Sequence, residues 1–503
     1  MREIKFIDYF WFSLIFLFIV VLSFILRLPY LNRPLSGNYE WLTAHTLITF
    51  EIWHQEGIFQ HGFLPVYSYA DTLKQPIYIG DLGSAEKNHR MYYISYPSFG
   101  LVIPYLLTGG HAYLPLILKI FNILLHFLEC FFLWKILCIY FQPQTVFLAV
   151  LYYLFHPNLL WFHGNVYFID VLSLTWFIIQ IYFTQKFLEN SNVKNAFYWF
   201  LTNFLLCQTE WLGYLVLFTA GLFFLYNKNW YAFFLLIFWG LLNLGFTLWQ
   251  YGSFLGYENY FSALFQKFLK RIGTSQASSH NWGEWKPFVF FLLNFFIYQF
   301  TIFLALYAHI NLIFTQKLFV NRDYVKIVLF ALVPVWLHYI LLYNFTTGHS
   351  PLASLIATPF LIFLLAIFLE KLFTLESNLG KKIGIAINFF IIFLGISFFL
   401  IRNNLSFQQY FKQNLVTSYV TVSNEFKILG EYIAQNTPKD YLPCILYPKF
   451  IVNPQIHYYS KRNVLQFYDR KEIEEYVSKH KIKLKIYEIN ENLKVINVSE
   501  VKP

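Results

Sequence analysis

The sequence predicts an all-α polytopic membrane protein with about eleven transmembrane helices and a small C-terminal α/β domain. Three observations carry this prediction. The 503 residues are 57% hydrophobic and 22% aromatic but only 13% charged, with a mean hydropathy of +0.48, more apolar surface than a soluble core needs. Long apolar stretches recur as far as residue 401. The chain from 403 to 503 instead has ordinary polarity.

Short loops that hold many of the lysines and arginines separate the apolar stretches. Because a span needs roughly 20 apolar residues, the shorter run 97–110, interrupted by Pro and Gly, is interpreted as a juxtamembrane helix. The stretches interpreted as spans are 9–28, 113–141, 145–161, 166–183, 197–207, 212–226, 230–251, 287–314, 327–343, 352–369 and 383–401.

The basic residues predict the orientation. Arg2 and Lys5 precede the first stretch, so the positive-inside rule places the N-terminus in the cytoplasm. That stretch is too long for a signal peptide and lacks a small-residue cleavage site, so we interpret it as a retained span. Eleven crossings then place the C-terminal domain outside the cytoplasm. Composition rich in lysine, asparagine and phenylalanine with only 2 methionines is typical of an AT-rich bacterial genome, which indicates the cytoplasmic (inner) membrane of a bacterium.

Two regions are predicted outside the bilayer. The outer loop 29–110 belongs to a membrane domain 1–402, and its segment 38–56 has the apolar stripe of an interfacial helix. The extracytoplasmic domain 403–503 alternates predicted helices and strands, which indicates a small α/β lobe.

Charge and cysteine content exclude other classes. The formal net charge is +10, but the basic residues lie near membrane boundaries, where they suit headgroup contact, so no nucleic acid partner is predicted. The 4 cysteines have neither disulfide-framework nor zinc-site spacing.

Three carboxylates lie at the predicted outer ends of apolar stretches. Glu40 follows the first span, Asp170 lies about one turn inside another, and Glu210 ends a third. A charge at the depth of Asp170 is costly, and such residues usually face a cavity and have a function. Structural alternatives stay open for the other two, because Glu40 suits a helix N-terminus and Glu210 an interfacial anchor.

Histidine and basic residues occupy the same predicted face. His349 begins an inward span, where it suits either a structural hydrogen bond or an anionic ligand. Arg90, Lys270 and Arg271 lie in outer loops and suit either lipid headgroups or a lipid-borne phosphate. The same two interpretations apply to Arg27, Arg33, Lys87, Lys267, His280, Trp282, Trp285 and Lys286. No histidine spacing indicates a metal site, so no metal ligand and no cofactor are assigned, although a divalent metal is not excluded.

The layout resembles the GT-C glycosyltransferases, in particular the branch of protein O-mannosyltransferases and lipid A aminoarabinose transferases. The resemblance rests on Glu40 early in the first outer loop, the juxtamembrane segment 96–100 (YPSFG), Asp170 after Pro157, His349 and the outer α/β tail. Those enzymes usually carry an acidic Asp-Glu pair and a later His-Pro-Pro-Leu. Here the corresponding stretches read Tyr-Glu at 39–40 and Tyr-Pro-Ser-Phe at 96–99. The departures leave the branch, and so the acceptor, open.

The resemblance implies a membrane glycosyltransferase that moves a sugar from a polyprenyl-phosphate donor to an envelope acceptor on the outer face of the membrane. Glu40 is the implied general base and Asp170 the second outer acid. Basic residues of the outer loops, with His349, would hold the leaving phosphate. Glu210 and Tyr96 complete the predicted substrate contacts. The implied partners are the lipid-linked donor, the envelope acceptor and the bilayer.

Other functions remain possible on the sequence alone. A transporter or lipid-linked-sugar flippase would use intramembrane acids such as Glu129, but no inverted repeat is visible. A non-catalytic scaffold would be insensitive to replacement of Glu40. Within the enzyme class, a ligase or polymerase that uses diphosphate-linked oligosaccharides would need a larger groove.

Overall fold

The computed structural model describes residues 6–35, 39–70, 84–276, 278–313, 322–375, 377–402, 424–449, 454–491 and 493–503. Arg2 and Lys5, on which the predicted orientation depends, and residues 403–423, with which the predicted tail begins, lie outside this set. The predicted domain boundary at 402/403 therefore stays a prediction.

Helices make up most of the chain as far as residue 402, as the apolar pattern predicts. Their bounds are α1 (Phe6–Ile25), α2 (Glu40–Glu56), α3 (Phe99–Leu107), α4 (Pro115–Leu137), α5 (Pro143–Leu154), α6 (Pro157–Asn165), α7 (Ile169–Glu189), α8 (Val193–Cys207), α9 (Leu212–Tyr226), α10 (Trp230–Leu255), α11 (Tyr257–Ile272), α12 (Trp285–Tyr298), α13 (Phe300–Ile313), α14 (Arg322–Leu341), α15 (Tyr343–Gly348), α16 (Ser350–Leu355), α17 (Thr358–Phe373) and α18 (Asn378–Arg402).

The protein is a multi-pass membrane protein. Among the described residues, 6 helical segments are long and apolar enough to cross a membrane: α4, α7, α10, α14, α16 with α17, and α18. The count rises to 8 if the bent pairs α5–α6 and α12–α13 each form one span. Each of the eleven predicted stretches coincides with a helix, but α8 and α9 have only 15 residues each. Such a helix rises about 22 Å, less than the hydrocarbon thickness of about 30 Å.

Prolines divide several of these helices. Pro157 occupies the first turn of α6. Because a proline disfavours helical geometry at the residue before it, α5 ends at Leu154. The chain bends by 53° between α5 and α6. The short helix α6 is buried throughout. The chain then re-enters a helix at Ile169, which places Asp170 in the first turn of α7.

A stripe of buried polar side chains runs along α4. Lys119, Asn122, His126 and Glu129 follow the spacing of one helix face, and each is no more than 2% exposed. We call these four residues the α4 polar stripe. Such groups in an apolar bundle need partners, because an unpaired buried charge costs several kcal/mol.

The C-terminal half of the α4 polar stripe, His126 and Glu129, belongs to an ionic network. Glu129 accepts hydrogen bonds from Tyr153 Oη (2.8 Å) and Thr175 Oγ1 (2.6 Å), and His163 Nε2 lies 3.1 Å from the same carboxylate. The His163 ring stacks on His126, with 4.6 Å between ring centroids. His126 in turn contacts the guanidinium of Arg27. Arg27, for which the sequence suggested a lipid headgroup or a lipid-borne phosphate, is instead buried in this network.

The N-terminal half of the stripe, Lys119 and Asn122, donates hydrogen bonds to backbone carbonyls of other segments. Asn122 Nδ2 donates to the carbonyls of Phe162 (2.8 Å) and Val166 (2.9 Å), where α6 ends. Lys119 Nζ donates to the carbonyls of Tyr30 and Arg33, both at 3.2 Å. The α4 polar stripe thus fixes the segment after α1 and the connection into α7.

The first outer loop packs inside the protein. It contains α2, the antiparallel hairpin of β1 (Ser84–Lys87) and β2 (Arg90–Tyr93), and the short α3 predicted from the run 97–110. The apolar stripe of α2 was expected to lie at a membrane surface. Instead α2 is buried on nearly all sides, with Phe50 and Trp53 fully enclosed, because α20 of the C-terminal region (Pro454–Ser460) packs against it.

The C-terminal region is the small α/β lobe that the sequence predicts. Its described elements are α19 (Glu425–Asn436), β3 (Leu442–Leu446), α20 (Pro454–Ser460), β4 (Leu465–Phe467), α21 (Arg470–His480), β5 (Leu484–Ile489) and β6 (Val495–Val501). The four strands form a sheet of order β4-β3-β5-β6, parallel except for the antiparallel β5–β6 pair. The last strand, β6, was not predicted.

This lobe is bonded to the first outer loop. The Asn463 side chain exchanges two hydrogen bonds with the backbone of Tyr69, at 2.8 and 2.9 Å. Tyr459 Oη accepts from the Leu35 amide at 2.7 Å, and Lys461 pairs with Glu51 at 2.7 Å. These contacts attach the lobe to α2 and to the chain segments before and after it.

Replacing Glu129 with alanine is expected to destabilise the protein by about 3–5 kcal/mol, because the network loses its carboxylate while the buried Arg27 remains. A fall in the thermal unfolding midpoint in detergent measures the effect. Phe131→Leu, on the exposed side of the same helix, is the matched control and should change the midpoint little. Equal midpoints for Glu129→Ala and wild type would show that the network does not stabilise the fold.

His457, buried in α20, predicts loss of stability in acid. Burial lowers the pKa of His457 to about 4, below the value of about 6.5 of an unfolded chain. As the pH falls from about 6.5 towards 4, the unfolded state takes up the proton first, so the free energy of unfolding decreases by up to about 3 kcal/mol. Unfolding midpoints between pH 7 and 4.5 should fall less steeply in His457→Phe. The exposed His54→Gln should keep the wild-type slope.

Candidate functional site

Helix ends gather polar side chains at one end of the bundle. Asp170 lies in the first turn of α7, Glu210 joins α8 to α9, and Arg271 lies in the last turn of α11. His338 occupies the last turn of α14, and Tyr96 precedes α3. All five side chains are buried. We call this group the Asp170 cluster.

The guanidinium of Arg271 is the cation of the Asp170 cluster. It lies over the ring of Tyr96 at 4.2 Å from the centroid and over that of Phe345 at 5.1 Å. Burial acts to lower the pKa of Arg271, but the phenols of Tyr96 and Tyr93 and the carboxylates of Glu210 and Asp170 raise it above its ordinary value. Arg271 therefore keeps its charge, in a setting where planar stacking suits arginine better than lysine.

The two carboxylates of the cluster have different local partners. Glu210 Oε2 accepts from the Leu212 amide at 2.5 Å, at the start of α9, and Glu210 Oε1 lies 3.7 Å from His338 Nε2. Asp170 interacts electrostatically with Glu210, Arg271 and His338. Its Oδ2 atom is buried and makes no hydrogen bond.

Four buried atoms of the cluster make no hydrogen bond within the described residues: Asp170 Oδ2, Glu210 Oε1, Arg271 Nη1 and His338 Nδ1. The first and third of these are complementary. Asp170 Oδ2 lacks a donor and Arg271 Nη1 lacks an acceptor, although both are shielded from water. Buried polar atoms are rarely left unsatisfied in folded proteins. The Asp170 oxygen can accept a hydrogen bond from a ligand hydroxyl or amine, and the Arg271 guanidinium can donate to an anionic group of the same ligand.

Glu40 lies in a second group of charges. It is the first residue of α2, is fully buried, and its Oε1 atom lies 2.6 Å from Arg33 Nη2. Arg33 also lies over the ring of Trp161, at 5.2 Å. Lys119 contributes a further positive charge to this group, and Tyr459 of the C-terminal lobe approaches it. We call Arg33, Glu40, Lys119 and Tyr459 the Glu40 cluster.

Half-buried aromatic rings lie between the two clusters. Tyr39, next to Glu40, has its ring 6.1 Å from that of His349, and Trp41 lies 6.4 Å from the same imidazole. His349 is 5.2 Å from Phe345, on which Arg271 stacks. Tyr39 also has a left-handed backbone (φ 66°), which is unusual for a bulky side chain and common near functional sites.

The structure therefore brings together four of the predicted residues, Tyr96, Asp170, Glu210 and Arg271, and places His349 beside them. Glu40 is linked to them through the aromatic rings. Arg90 pairs with Glu56 and donates to the Ser68 carbonyl in the hairpin region. Lys270 lies next to Arg271 on α11, and its carbonyl accepts from Asn344 at 2.8 Å. The catalytic roles of Glu40 and Asp170 and the substrate-binding roles of the other six residues stay predictions.

Sequence reasoning missed His338 and the pairing of Arg33 with Glu40. His338 carried a usable signal, because it is a polar residue within the last turn of an outward span. The Arg33 contact had no such signal, because it depends on how residues 33–40 turn into α2. Within the described residues, no three His, Cys, Asp or Glu side chains are grouped so that they could hold a metal ion.

No protein-family model and no curated protein sequence matches the chain. Solved structures do. The crystal structure of ArnT from Cupriavidus metallidurans in the apo state matches with a TM-score of 0.56 at 12% identity, over 95% of this chain and 93% of that chain. The structure of the same protein bound to undecaprenyl phosphate matches with a TM-score of 0.57 at 13% identity, over 94% and 93%.

The chain has a GT-C fold. ArnT is a GT-C glycosyltransferase, a lipid A aminoarabinose transferase. The match extends over nearly the whole chain, so the GT-C architecture includes both the helical bundle and the C-terminal lobe. The predicted fold class is confirmed. At 12–13% identity the similarity is one of fold.

A double-mutant cycle should detect coupling within the Asp170 cluster. Arg271→Gln and Glu210→Gln each remove one buried charge, and together they should cost less than the sum of the single changes, with a coupling of about 0.5–3 kcal/mol. Unfolding midpoints of the four proteins provide the measurement. Additive effects would show that the two charges do not interact. The exposed pair Lys326 and Asp323 is the control and should couple weakly.

Proposed function

We propose that this protein is a membrane glycosyltransferase. It transfers a sugar from a polyprenyl-phosphate-linked donor to an envelope acceptor, which is a lipid, a glycan or a protein. The observation that carries the proposal is a buried acceptor and a buried donor that make no hydrogen bond, Asp170 Oδ2 and Arg271 Nη1, in a GT-C fold. A reacting hydroxyl or amine and a departing phosphate supply these two groups.

The similar structure that contains a ligand supports the proposed donor class. ArnT from Cupriavidus metallidurans has been crystallised with undecaprenyl phosphate, and this chain matches that structure over 94% of its length. A polyprenyl phosphate has a long apolar tail and one anionic group. A bundle embedded in lipid next to a buried arginine suits both parts.

The proposed reaction balances without a cofactor. The acceptor oxygen or nitrogen attacks the anomeric carbon, the bond from that carbon to the phosphate oxygen breaks, and polyprenyl phosphate leaves with the electron pair. The acceptor proton passes to a carboxylate as general base. Arg271, with Lys270 and His349 as predicted contacts, offsets the charge that develops on the leaving phosphate.

Two carboxylates are candidates for the base. Glu40 is the base implied by resemblance to the family motif. Asp170 is favoured by geometry, because one of its oxygens is free to accept a proton. An acceptor hydroxyl at Glu40 would first have to displace the contact with Arg33, at 2.6 Å.

We further propose that the reaction takes place on the outer face of the cytoplasmic membrane, with the N-terminus inside and the lobe 403–503 outside. The support is the basic loops and the position of both charge clusters at the end of the bundle that contacts this lobe. The flippase alternative is less favoured. The buried Glu129 is enclosed by hydrogen-bond donors instead of lining a path.

The function is tested by transfer of radiolabelled sugar from native polyprenyl-phosphate donors into envelope fractions in proteoliposomes. Wild type should transfer label, and Asp170→Asn should lower the rate by about 10²–10⁴-fold because the carboxylate no longer accepts the proton. Glu210→Gln controls for general loss of charge in the cluster. Its rate should fall less, because Glu210 Oε2 accepts the Leu212 amide and Glu210 Oε1 lies 3.7 Å from His338 Nε2, so that both oxygens already have a neighbouring donor.

Glu40→Gln, compared in the same assay, separates the two candidate bases. A large loss in Glu40→Gln with a small loss in Asp170→Asn, at equal unfolding midpoints, would assign the base to Glu40. Absence of donor consumption by wild type across a broad donor panel would contradict the glycosyltransferase proposal and favour transport.

A further inference from the structure

The surface of α11 divides into three arcs. With 3.6 residues per turn, Tyr260, Lys267 and Arg271 fall on one arc, and all three are buried against the protein. The rings of Tyr93 and Tyr96 receive the two cationic side chains, at 5.7 and 4.2 Å. The basic face of this helix therefore points inward, to the candidate site.

The exposed surface of α11 consists of the other two arcs. The aromatic arc contains Tyr257, Phe261, Phe265 and Phe268, which are 46–59% exposed. The polar arc lies next to it and contains Glu258, Ser262 and Gln266, all exposed. Adjacent residues such as Phe265 and Gln266 thus point about 100° apart, one into each arc.

This division is typical of a helix that lies in a membrane interface. An aqueous surface rarely exposes four large aromatic rings in one row. An interfacial helix buries such a row at the boundary of headgroups and acyl chains and keeps its polar side in water.

The neighbouring chain supports lipid as the cover of the aromatic arc. The helix α10, which is long and apolar enough to cross a membrane, precedes α11 directly and has exposed side chains such as Trp249. On the other side, α12 begins with the exposed Trp285 and continues with the exposed Phe290 and Leu293. Tryptophan is enriched at membrane interfaces. The aromatic arc is therefore continuous in the chain with the exposed apolar surfaces of α10 and α12.

We propose that α11 lies in the membrane interface at the end of the bundle that carries the candidate site, with its aromatic arc in lipid and its polar arc in water. The bilayer, and not a second protein, is its partner. This placement holds Lys267 and Arg271 at the level of lipid headgroups. The proposal does not depend on the protein being a glycosyltransferase.

Site-directed fluorescence tests the placement. Cys138 is half-buried and is replaced by serine, and the other native cysteines, Cys130, Cys207 and Cys444, are buried. Phe265→Cys and Gln266→Cys are labelled separately with nitrobenzoxadiazole in the full chain. Each protein is reconstituted in phosphatidylcholine vesicles with or without 5-doxyl phosphatidylcholine, and aqueous iodide is added as the second quencher. Leu293→Cys on α12 and the exposed Ile428→Cys on α19 provide the lipid and water references.

The label at residue 265 should be quenched by the doxyl lipid roughly threefold more than the label at 266, and iodide should show the opposite order. Phe261→Cys and Ser262→Cys repeat the comparison one turn earlier, so that one misfolded variant does not decide the result. Equal quenching by iodide at 265 and 266 would place α11 in water and overturn the proposal. Protection of residue 265 from both quenchers would also overturn it, because it would indicate a protein partner.

Discussion

The cost of burying charge in an apolar helical bundle governs this structure. Glu129 and Arg27 lie where neither water nor headgroups can solvate them, and a network of histidine, tyrosine and threonine side chains joins them. The same face of α4 continues upward to Asn122 and Lys119, which bind backbone carbonyls instead of charges. The need to pair the buried charges and to bind these carbonyls thereby fixes how α1, α6 and α7 meet.

The Asp170 cluster differs in how its carboxylates are held. Three side chains surround Glu129, whereas Asp170 Oδ2 and Arg271 Nη1 are buried and make no hydrogen bond within the described residues. The contrast matters because both groups lie in the same protein and face the same desolvation cost. A carboxylate that accepts from several donors stabilises the fold, and one with a buried oxygen that accepts from none can bind a ligand. The α4 polar stripe supports the site mechanically, since Asn122 holds the connection from which α7 presents Asp170.

Sequence reasoning located the apolar helices and most elements of the C-terminal lobe because their signals are local. Pro157 both ends one helix and begins the next, and the spacing of strands and helices after Asn424 is readable from polarity alone. The burial of α2 was not predictable, because its apolar stripe suits lipid and protein equally. The choice depends on α20, more than 400 residues later in the chain. Among the predicted site residues, Asp170 was singled out by its depth in a span and Glu210 by its place at the end of one, whereas the contact of Arg33 with Glu40 depends on a turn without a sequence signature.

The motif resemblance and the geometry favour different carboxylates, Glu40 and Asp170, as the general base of the proposed reaction. The motif resemblance places the base at Glu40, beside Tyr39 where the family usually has a second acid. In this chain Glu40 is enclosed by Arg33, Lys119 and the lobe residue Tyr459, so it connects three parts of the protein. That arrangement suits a residue that holds the lobe and the first loop in register over the site. Asp170 Oδ2 makes no hydrogen bond within the described residues, and an oxygen that accepts a proton from a ligand needs to be unoccupied in this way. Under the glycosyltransferase proposal, tyrosine at position 39 and the enclosure of Glu40 both favour one arrangement, in which Asp170 would accept the proton and Glu40 would support the architecture.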